Sequence, residues 1–448
     1  MSMLGIFINS FNSVLPLFHA DTLLSLVGEC YAHSPHQRDP VSWAAINIVL
    51  ALAAQISPID DRDYNQKTYT DGKFEYLSKA QSVISQVMLG ETRLLNIQVL
   101  VGVVMVLQTE HDLTAALLFI SATMRLVHKM EMHNREASAH LDLVERRQRA
   151  RVFWLAYVLD KDLSLRAKQP SVQSNDDIDL EMPSLLPTSG EEDGGRAGII
   201  ATADGKSEMN FFLARVQLAS IEGSVYDCLY SMRASKRSIE ERSMARHNIL
   251  SALKDWQLSI PPEFGAAVVT STTGHNPASD GFFCLLHSAA LHCITLINQA
   301  NAWDEKWVLG LRDHERGFGA LQLPPGWDDL VRQARDYMAL FGQTCSKEVW
   351  FSWMASCSYL TAMVILIAND LCSLEHSEMY RDSQLVDTAL FWLSDLIAKN
   401  ERQDIRVLQD VCFKAVGEVR RRRTHAMPVN PNNFLDSSFV TEPWAHQI

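Results

Sequence analysis

Three stretches of this chain are too long and too uniformly apolar to lie on a surface. Val41 to Gln55 and Leu94 to Leu107 are dominated by aliphatic residues, and Val349 to Ala368 runs twenty residues without a charged side chain. Runs of this length exceed an ordinary strand, so each reads as a helix covered on most sides. Elsewhere the apolar residues are periodic. Leu113, Leu117, Ile120, Met124 and Val127 recur at three- and four-residue spacing, and Val152, Leu155, Ala156, Leu159 and Leu163 repeat the pattern. No sustained alternation bounded by hairpin turns competes with it. The sequence predicts an all-α fold: a large multi-helix domain with two long loops and no sheet.

Glycine and proline mark the divisions. Residues 184–206 hold Pro187, Gly190, Gly194, Gly195, Gly198 and Gly205, and residues 261–281 hold Pro261, Pro262, Gly265, Gly274 and Pro277. Neither stretch sustains a helix of more than about two turns. The expected order is an N-terminal helical block over 1–183, a flexible loop over 184–206, a C-terminal block over 207–425 and a tail over 426–448. In the second block, helices are expected over Ser207 to Lys236, Ser238 to Leu258, Phe282 to Ala300, Trp327 to Thr344, Glu348 to Cys372 and Asp387 to Arg423.

Charge and cysteine usage exclude several classes. With 40 Lys and Arg against 53 Asp and Glu, the net charge is −13. A nucleic-acid surface spread over the whole chain is excluded, because phosphate contacts need clustered cations. Eight scattered cysteines resemble reduced thiols more than a disulfide framework. The N-terminus lacks the basic stretch and cleavage site of a secretory signal. Val349 to Ala368 is long enough to span a bilayer, but its serines, Cys357 and Thr361 fit a buried helix better.

No reaction motif emerges. Cys284, His287, His292 and Cys293 are close in sequence, but at about 100° per residue Cys293 points away from Cys284 on one helix, so a four-ligand zinc site from this helix alone is excluded. His128, Glu131 and His133 lack the one-turn histidine spacing of a metalloprotease. Asp176, Asp177 and Asp179 lack the glycine and the twelfth-position glutamate of a calcium loop and read as a solvated acidic turn. Phosphate-binding and nucleophile-elbow signatures are absent. The basic run Arg420 to Arg423 suits a helix C-terminus or a phosphate-binding patch. Arg146, Arg147, Arg149 and Arg151 begin a helix, where cations oppose the dipole, so simple capping does not explain them.

That second cluster opens Glu145-Arg-Arg-Gln-Arg-Ala-Arg-Val-Phe-Trp154-Leu-Ala-Tyr-Val-Leu-Asp160-Lys-Asp-Leu-Ser164. The segment resembles the signature of the fungal-specific transcription factor regulatory domain, the middle homology region of zinc-binuclear-cluster regulators. That signature runs roughly RRRxFWxxYxxDRxxS, then Gly-Arg-Pro, then acidic residues and a proline. Pro170 takes the first proline place, and Asp176 to Pro183, with Asp179 inside it, resembles the acidic ending. Leu15 to His19, Asn96 to Leu100, Ala122 to Arg125 and Met132-His133 resemble earlier segments in the same order. The resemblance therefore rests on Arg125, Arg147, Arg151, Phe153, Trp154, Asp160, Ser164, Pro170, Asp179 and Pro183. Two departures stand out. The family's Gly-Arg reads Lys168-Gln169, and its Gly-Leu-His reads Glu131-Met132-His133, so turns that depend on glycine there are expected to be built differently or held more loosely.

The resemblance implies a transcription regulator that is not an enzyme, with the nucleus as its expected location and the cytoplasm as a second one. It implies a regulatory module with protein partners in the transcription machinery or a DNA-binding partner, a possible small-molecule effector and a possible homodimer, and no membrane. The family's DNA reader holds two zinc ions on six cysteines beginning Cys-x2-Cys, and no such spacing occurs in this sequence. Zinc is therefore expected only if a cysteine cluster lies upstream; the chain is a regulator without its own reader or part of a complete factor. From the residues alone, an enzyme with a bundle-core pocket is the competing class, and it predicts converging titratable groups. On an ideal helix Asp160 sits at the edge of the apolar stripe, half buried, and Arg125 is its expected ion-pair partner.

Specific DNA readout needs side chains placed in a groove by a rigid element. Titrated against random and inverted-repeat DNA at about 150 mM salt, the chain alone is expected to show no sub-micromolar binding that prefers one sequence. Such a preference would mean a DNA-reading element outside the motifs above.

Overall fold

The computed structural model of the chain describes residues 2–56, 66–110, 112–183, 196–272, 277–300, 323, 326–346, 350–400 and 403–426. They form two compact units, 1–362 and 363–448, the division falling within one helix.

At the centre of the first unit, helix Pro40–Ile56 packs on helix Leu94–Leu107. Every residue from Asn96 to Leu107 is buried, as expected of a helix with no polar face. Gly102 allows the close approach. A Cβ there would stand 2.2 Å from Cγ2 of Ile48, so any larger residue would force the two helices apart. The N-terminal segment crosses this pair and is held by amides. Asn12 donates to Phe18 O and accepts from Phe18 N, at 2.8 and 2.9 Å. The carbonyl of Leu17 accepts from both Gln98 and Gln148, each at 2.8 Å.

Helix Leu143–Ala167 begins at Asp142, whose carboxylate accepts from Glu145 N, a standard cap. It packs on Thr114–Lys129 on one side and on Phe211–Val225 on the other. The blocks expected before and after the 184–206 loop are therefore joined by direct helix packing. Helices Ile239–Ser259, Pro277–Gln299 and Trp327–Cys345 extend the layer. Ser238 and Glu241 form a capping box at the start of Ile239–Ser259, and the Trp256 indole donates to Ala214 O at 2.9 Å.

The expected all-α architecture holds with one correction, a small two-stranded sheet inside the first expected loop. Ile199–Ala201 pairs antiparallel with Glu208–Asn210. Gly198 and Gly205 take positive φ at its ends, and the hairpin is tied to the helices by Gly198 N to Ser13 O and Ala203 N to Thr272 O. Residues 184–195 lie outside the described residues. In the second loop, the described helical pieces are Pro262–Phe264, Val269–Thr272 and the first turn of Pro277–Gln299, within the expected two turns.

Two helices are long and apolar enough to cross a membrane by length and composition, Ser279–Gln299 and Ser352–Cys372. The first is 83% buried in protein, the second 56%. Ser352–Cys372 was expected to be covered on both sides. In its first half Tyr359 stacks on Phe341 at 3.9 Å and Ala355 O accepts from the Tyr337 hydroxyl. Cys357 and Val364, two turns apart, stay exposed, so one stripe of this helix is open.

In the second unit, two helices, Met379–Asn400 and Gln403–Ala426, replace the single one expected over Asp387 to Arg423. They run antiparallel: Arg420 pairs with Asp387 at 2.6 Å, and Gln409 donates to Ser394 at 2.7 Å.

The two glycine departures prove to be places where left-handed backbone is retained. Glu131 and Lys168 both have φ of +53°. Met132 N reaches Val127 O and Glu131 N reaches His128 O; likewise Gln169 N reaches Ser164 O and Lys168 N reaches Leu165 O. Each is a complete Schellman stop, so the turns are neither rebuilt nor looser. A side chain in this region carries a steric cost that glycine avoids. Both side chains are exposed, so little contact is lost on truncation. Glu131→Gly and Lys168→Gly are each expected to raise stability by about 0.5–1 kcal/mol, read as an upward Tm shift by calorimetry, with Lys168→Ala giving none of the gain.

Candidate functional site: a clamped loop and a cavity on one helix

Helix Leu143–Ala167 carries the family-like signature, and its sides do different work. The arginines at its start serve the preceding loop. Arg146 donates to the carbonyls of Ser138, Ala139 and Leu141, and Arg149 donates to Met130 O at 2.7 Å and Ser138 Oγ at 3.1 Å. Backbone acceptors thus explain cations that the helix dipole disfavours. Arg147 and Arg151 are half-buried on the same helix. Phe153, Trp154 and Tyr157 are buried and form one aromatic cluster. Two of them reach outward with polar atoms: Trp154 Nε1 donates to Glu181 O at 3.0 Å, and the Tyr157 hydroxyl to Asn175 Oδ1 at 2.8 Å. The acidic turn therefore hangs from these aromatic rings. It is tied a second time, by Asp179 N to His133 O and Arg135 N to Asp179 O. Pro170 is exposed just past the helix stop, Ser164 is buried, and Pro183 is half-buried.

The expected Asp160–Arg125 ion pair does not form. Arg125 is exposed on its own helix, while Asp160 is 1% exposed, deeper than the half burial expected. Its two carboxylate oxygens accept from Val172 N at 3.0 Å and Gln173 N at 2.9 Å. Lys161, also 1% exposed, works on the same loop, donating to Ser171 Oγ at 2.8 Å and Gln173 O at 2.5 Å. Its stem passes Gly223, where an added Cβ would meet Lys161 at 3.1 Å. Neighbouring acid and base thus clamp residues 171–173 by the backbone. Burial pushes the Asp160 carboxyl up, against the pull of the two backbone donors, and pulls the Lys161 ammonium down, against Asp160. His128 completes the clamp by bonding Gln173 Oε1 at 2.8 Å.

Leu155, Val158, Leu159, Asp162 and Arg166 of the same helix line a cavity of about 310 Å³. Its walls include Leu155, Leu159, Phe11, Phe282, Trp350, Trp353 and Met354. Phe282 is the hub, edge-on to Phe11 at 5.6 Å and to Trp350 at 5.1 Å. The polar end gathers Asp162, Arg166, Arg215 and His292. Arg215 bridges Asp162 at 3.0 Å and the buried Glu222 at 3.1 Å; Arg166 meets Asp162 at 3.4 Å. Burial pushes the Glu222 carboxyl up to about 7, with Arg215 opposing. Burial lowers His292 to about 4, so its ring is neutral, and its Nε2 is buried without a hydrogen-bond partner among the described residues. Sequence reasoning missed this group because its members come from three separate helices.

The convergence is the one a bundle-core enzyme would show, but its carboxylates are engaged. Arg215 holds both, and burial raises the nearby Cys293 thiol well above its ordinary value, which leaves it unreactive. His287 is occupied by Phe264 O at 2.9 Å. In the second unit, ligand atoms of Asp370, His376 and Asp382 lie within 4.8 Å of one another. Arg423 already stands 2.9 Å from Asp370 and donates to Leu374 O and Ser383, so this group reads as the tie of the last helix. Arg421 and Arg422 pair with Glu418. The basic run is thus engaged by acids in its own unit.

A predominantly helical domain whose signature helix carries an acidic turn is the class these features define. The chain belongs to the fungal specific transcription factor domain family, whose model matches residues 4–257; the family is one of transcription regulators, not enzymes. It is similar to an ABC-transporter-regulating transcription factor of Aspergillus fumigatus, at 29% identity over 96% of this chain and 49% of the relative. A protein of the same name from Aspergillus oryzae matches at 29% over 94% of this chain and 46% of the relative. A fusaridione A cluster transcription factor of Fusarium heterosporum matches at 26% over 58% of this chain. The chain spans about half the length of the Aspergillus relatives.

Two measurements check the site. Asp160→Ala strands the buried Lys161 charge and two backbone donors, and is expected to cost about 3–5 kcal/mol in urea denaturation; a loss below about 1 kcal/mol, as for a surface pair, would contradict the clamp. Glu222 has a folded pKa above its ordinary value of 4.5. Its contribution is therefore fully present below that value and is lost as pH rises toward about 7. Tm measured from pH 5 to pH 8 should fall less steeply in Glu222→Gln than in the wild type.

Proposed function

We propose that the chain is the regulatory, effector-responding part of a transcription factor that acts in the nucleus. Its target genes, by analogy with the names of the Aspergillus relatives, include ABC-transporter genes. The observation that carries this reading is the division of labour on helix Leu143–Ala167: Trp154 and Tyr157 of the family-like signature hold the acidic turn, and other residues of the same helix wall a cavity. A rigid element shared by a cavity and a surface turn can pass a binding event outward. DNA is read by a zinc-cluster module, either in a longer form of this chain or in a protein partner, and components of the transcription machinery receive the output.

The test fuses the chain to a heterologous DNA-binding domain in a fungal host with a matching reporter. Expression several-fold above or below that of the DNA-binding domain alone is expected, together with nuclear fluorescence of a tagged chain. Reporter output identical to the bare domain would refute the reading.

A further inference from the structure

The regulatory reading leaves open what enters the cavity, and its chemistry narrows the choice. At about 310 Å³ the space is roughly twice the ~150 Å³ of apolar cavity that takes one benzene. The walls formed by Phe282, Trp350, Trp353 and Leu159 offer flat apolar faces that suit ring stacking. The lining also carries Asp162, Arg166, Arg215 and His292, which are unevenly satisfied. Arg215 is used on both sides, by Asp162 and by Glu222. Among the described residues Arg166 pairs with Asp162 at 3.4 Å on its own helix, although a guanidinium carries five N–H donors. Nε2 of His292 is buried with no partner among the described residues.

We propose that this cavity binds a molecule of about two fused rings bearing one carboxylate, its ring body against the apolar wall of Phe282, Trp350 and Trp353 and its carboxylate at Arg166 and His292. The proposal rests on the regulatory reading and names its ligand class. A wholly apolar molecule leaves the buried His292 nitrogen without a partner and offers nothing to the Arg166 donors. A phosphate dianion brings more charge than one guanidinium and a neutral imidazole can meet among apolar walls. A carboxylate can accept from the Arg166 guanidinium and from the Nε2–H tautomer of a neutral His292. Both nearby carboxylates, Asp162 and Glu222, are already held by Arg215, which leaves Arg166 as the guanidinium with donors to offer a ligand.

The experiment is calorimetric titration of the purified full chain with naphthalene-2-carboxylate and with naphthalene-2-carboxamide, which share a ring body and differ in charge. The carboxylate is expected to bind about tenfold tighter or better. Arg166→Gln should erase that preference while leaving the amide unchanged. His292→Phe should weaken the carboxylate without touching the ion pairs, and Met354→Trp, which fills the cavity, should abolish both; melting curves confirm that each variant folds. Equal affinity of the wild type for the two compounds, or no binding of either to folded wild-type chain, overturns the proposal. The reporter assay distinguishes the two failures. A fusion that still alters transcription keeps the regulatory reading when the ligand class is wrong, and an inert fusion removes the regulatory reading itself.

Discussion

The carbonyl oxygen of Leu17 is the joint on which the first unit turns. One backbone acceptor has two lone pairs, and both are filled, by Gln98 from the buried helix Leu94–Leu107 and by Gln148 from the signature helix. Buried amides without partners would cost about 1–3 kcal/mol each. Neither helix can shift along its axis without stranding an amide in an apolar interior. The N-terminal segment thereby fixes the relative register of two helices fifty residues apart in sequence. The close crossing at Gly102 and Ile48 then fixes the third helix of the group.

A second constraint is the burial of charge in the signature helix. Asp160 and Lys161 are adjacent, so on a helix they point about 100° apart and cannot simply pair face to face. They meet instead through the loop that both grip: one accepts from its amides, the other donates to its carbonyl. Such an arrangement is costly to desolvate and contributes more to specificity of position than to net stability. It explains why the loop after Pro170, which has almost no apolar residues with which to anchor itself, is held in one place.

The helical fold was legible because periodicity and long apolar runs are local signals. Leu94 to Leu107 is bounded in the sequence as it stands in the structure, and the stretch that opens with Pro261 and Pro262 follows a helix that ends at Ser259, one residue from the expected end. What sequence did not reveal was pairwise and long-range. The charge at Asp160 is visible in the sequence, but backbone amides carry no side-chain signature, so the sequence points to a cation such as Arg125 and not to the amides of Val172 and Gln173. The break between the last two helices was hidden because the charged residues there continue a helical pattern. The cavity was invisible for the same reason as the Arg215 pairings: its lining comes from segments spread between Phe11 and Ser358, and nothing in any one of them announces a shared space. The signature itself was read correctly as a family mark, yet its residues prove to be supports for a turn, while the groups facing the cavity, Asp162 and Arg166, lie between and beyond its named positions.

Three consecutive residues of that helix, Asp160, Lys161 and Asp162, each hold a different neighbour: the amides of 172 and 173, the carbonyl of Gln173 beside Gly223, and the guanidinium of Arg215. Together they cover most of the helix circumference. The helix is thus keyed like a shaft, unable to rotate in its seat without breaking a buried contact on some side. Local softness cannot absorb a push from within. A displacement at Asp162 must be carried by the whole rod, so the acidic turn moves with it or the displacement does not occur.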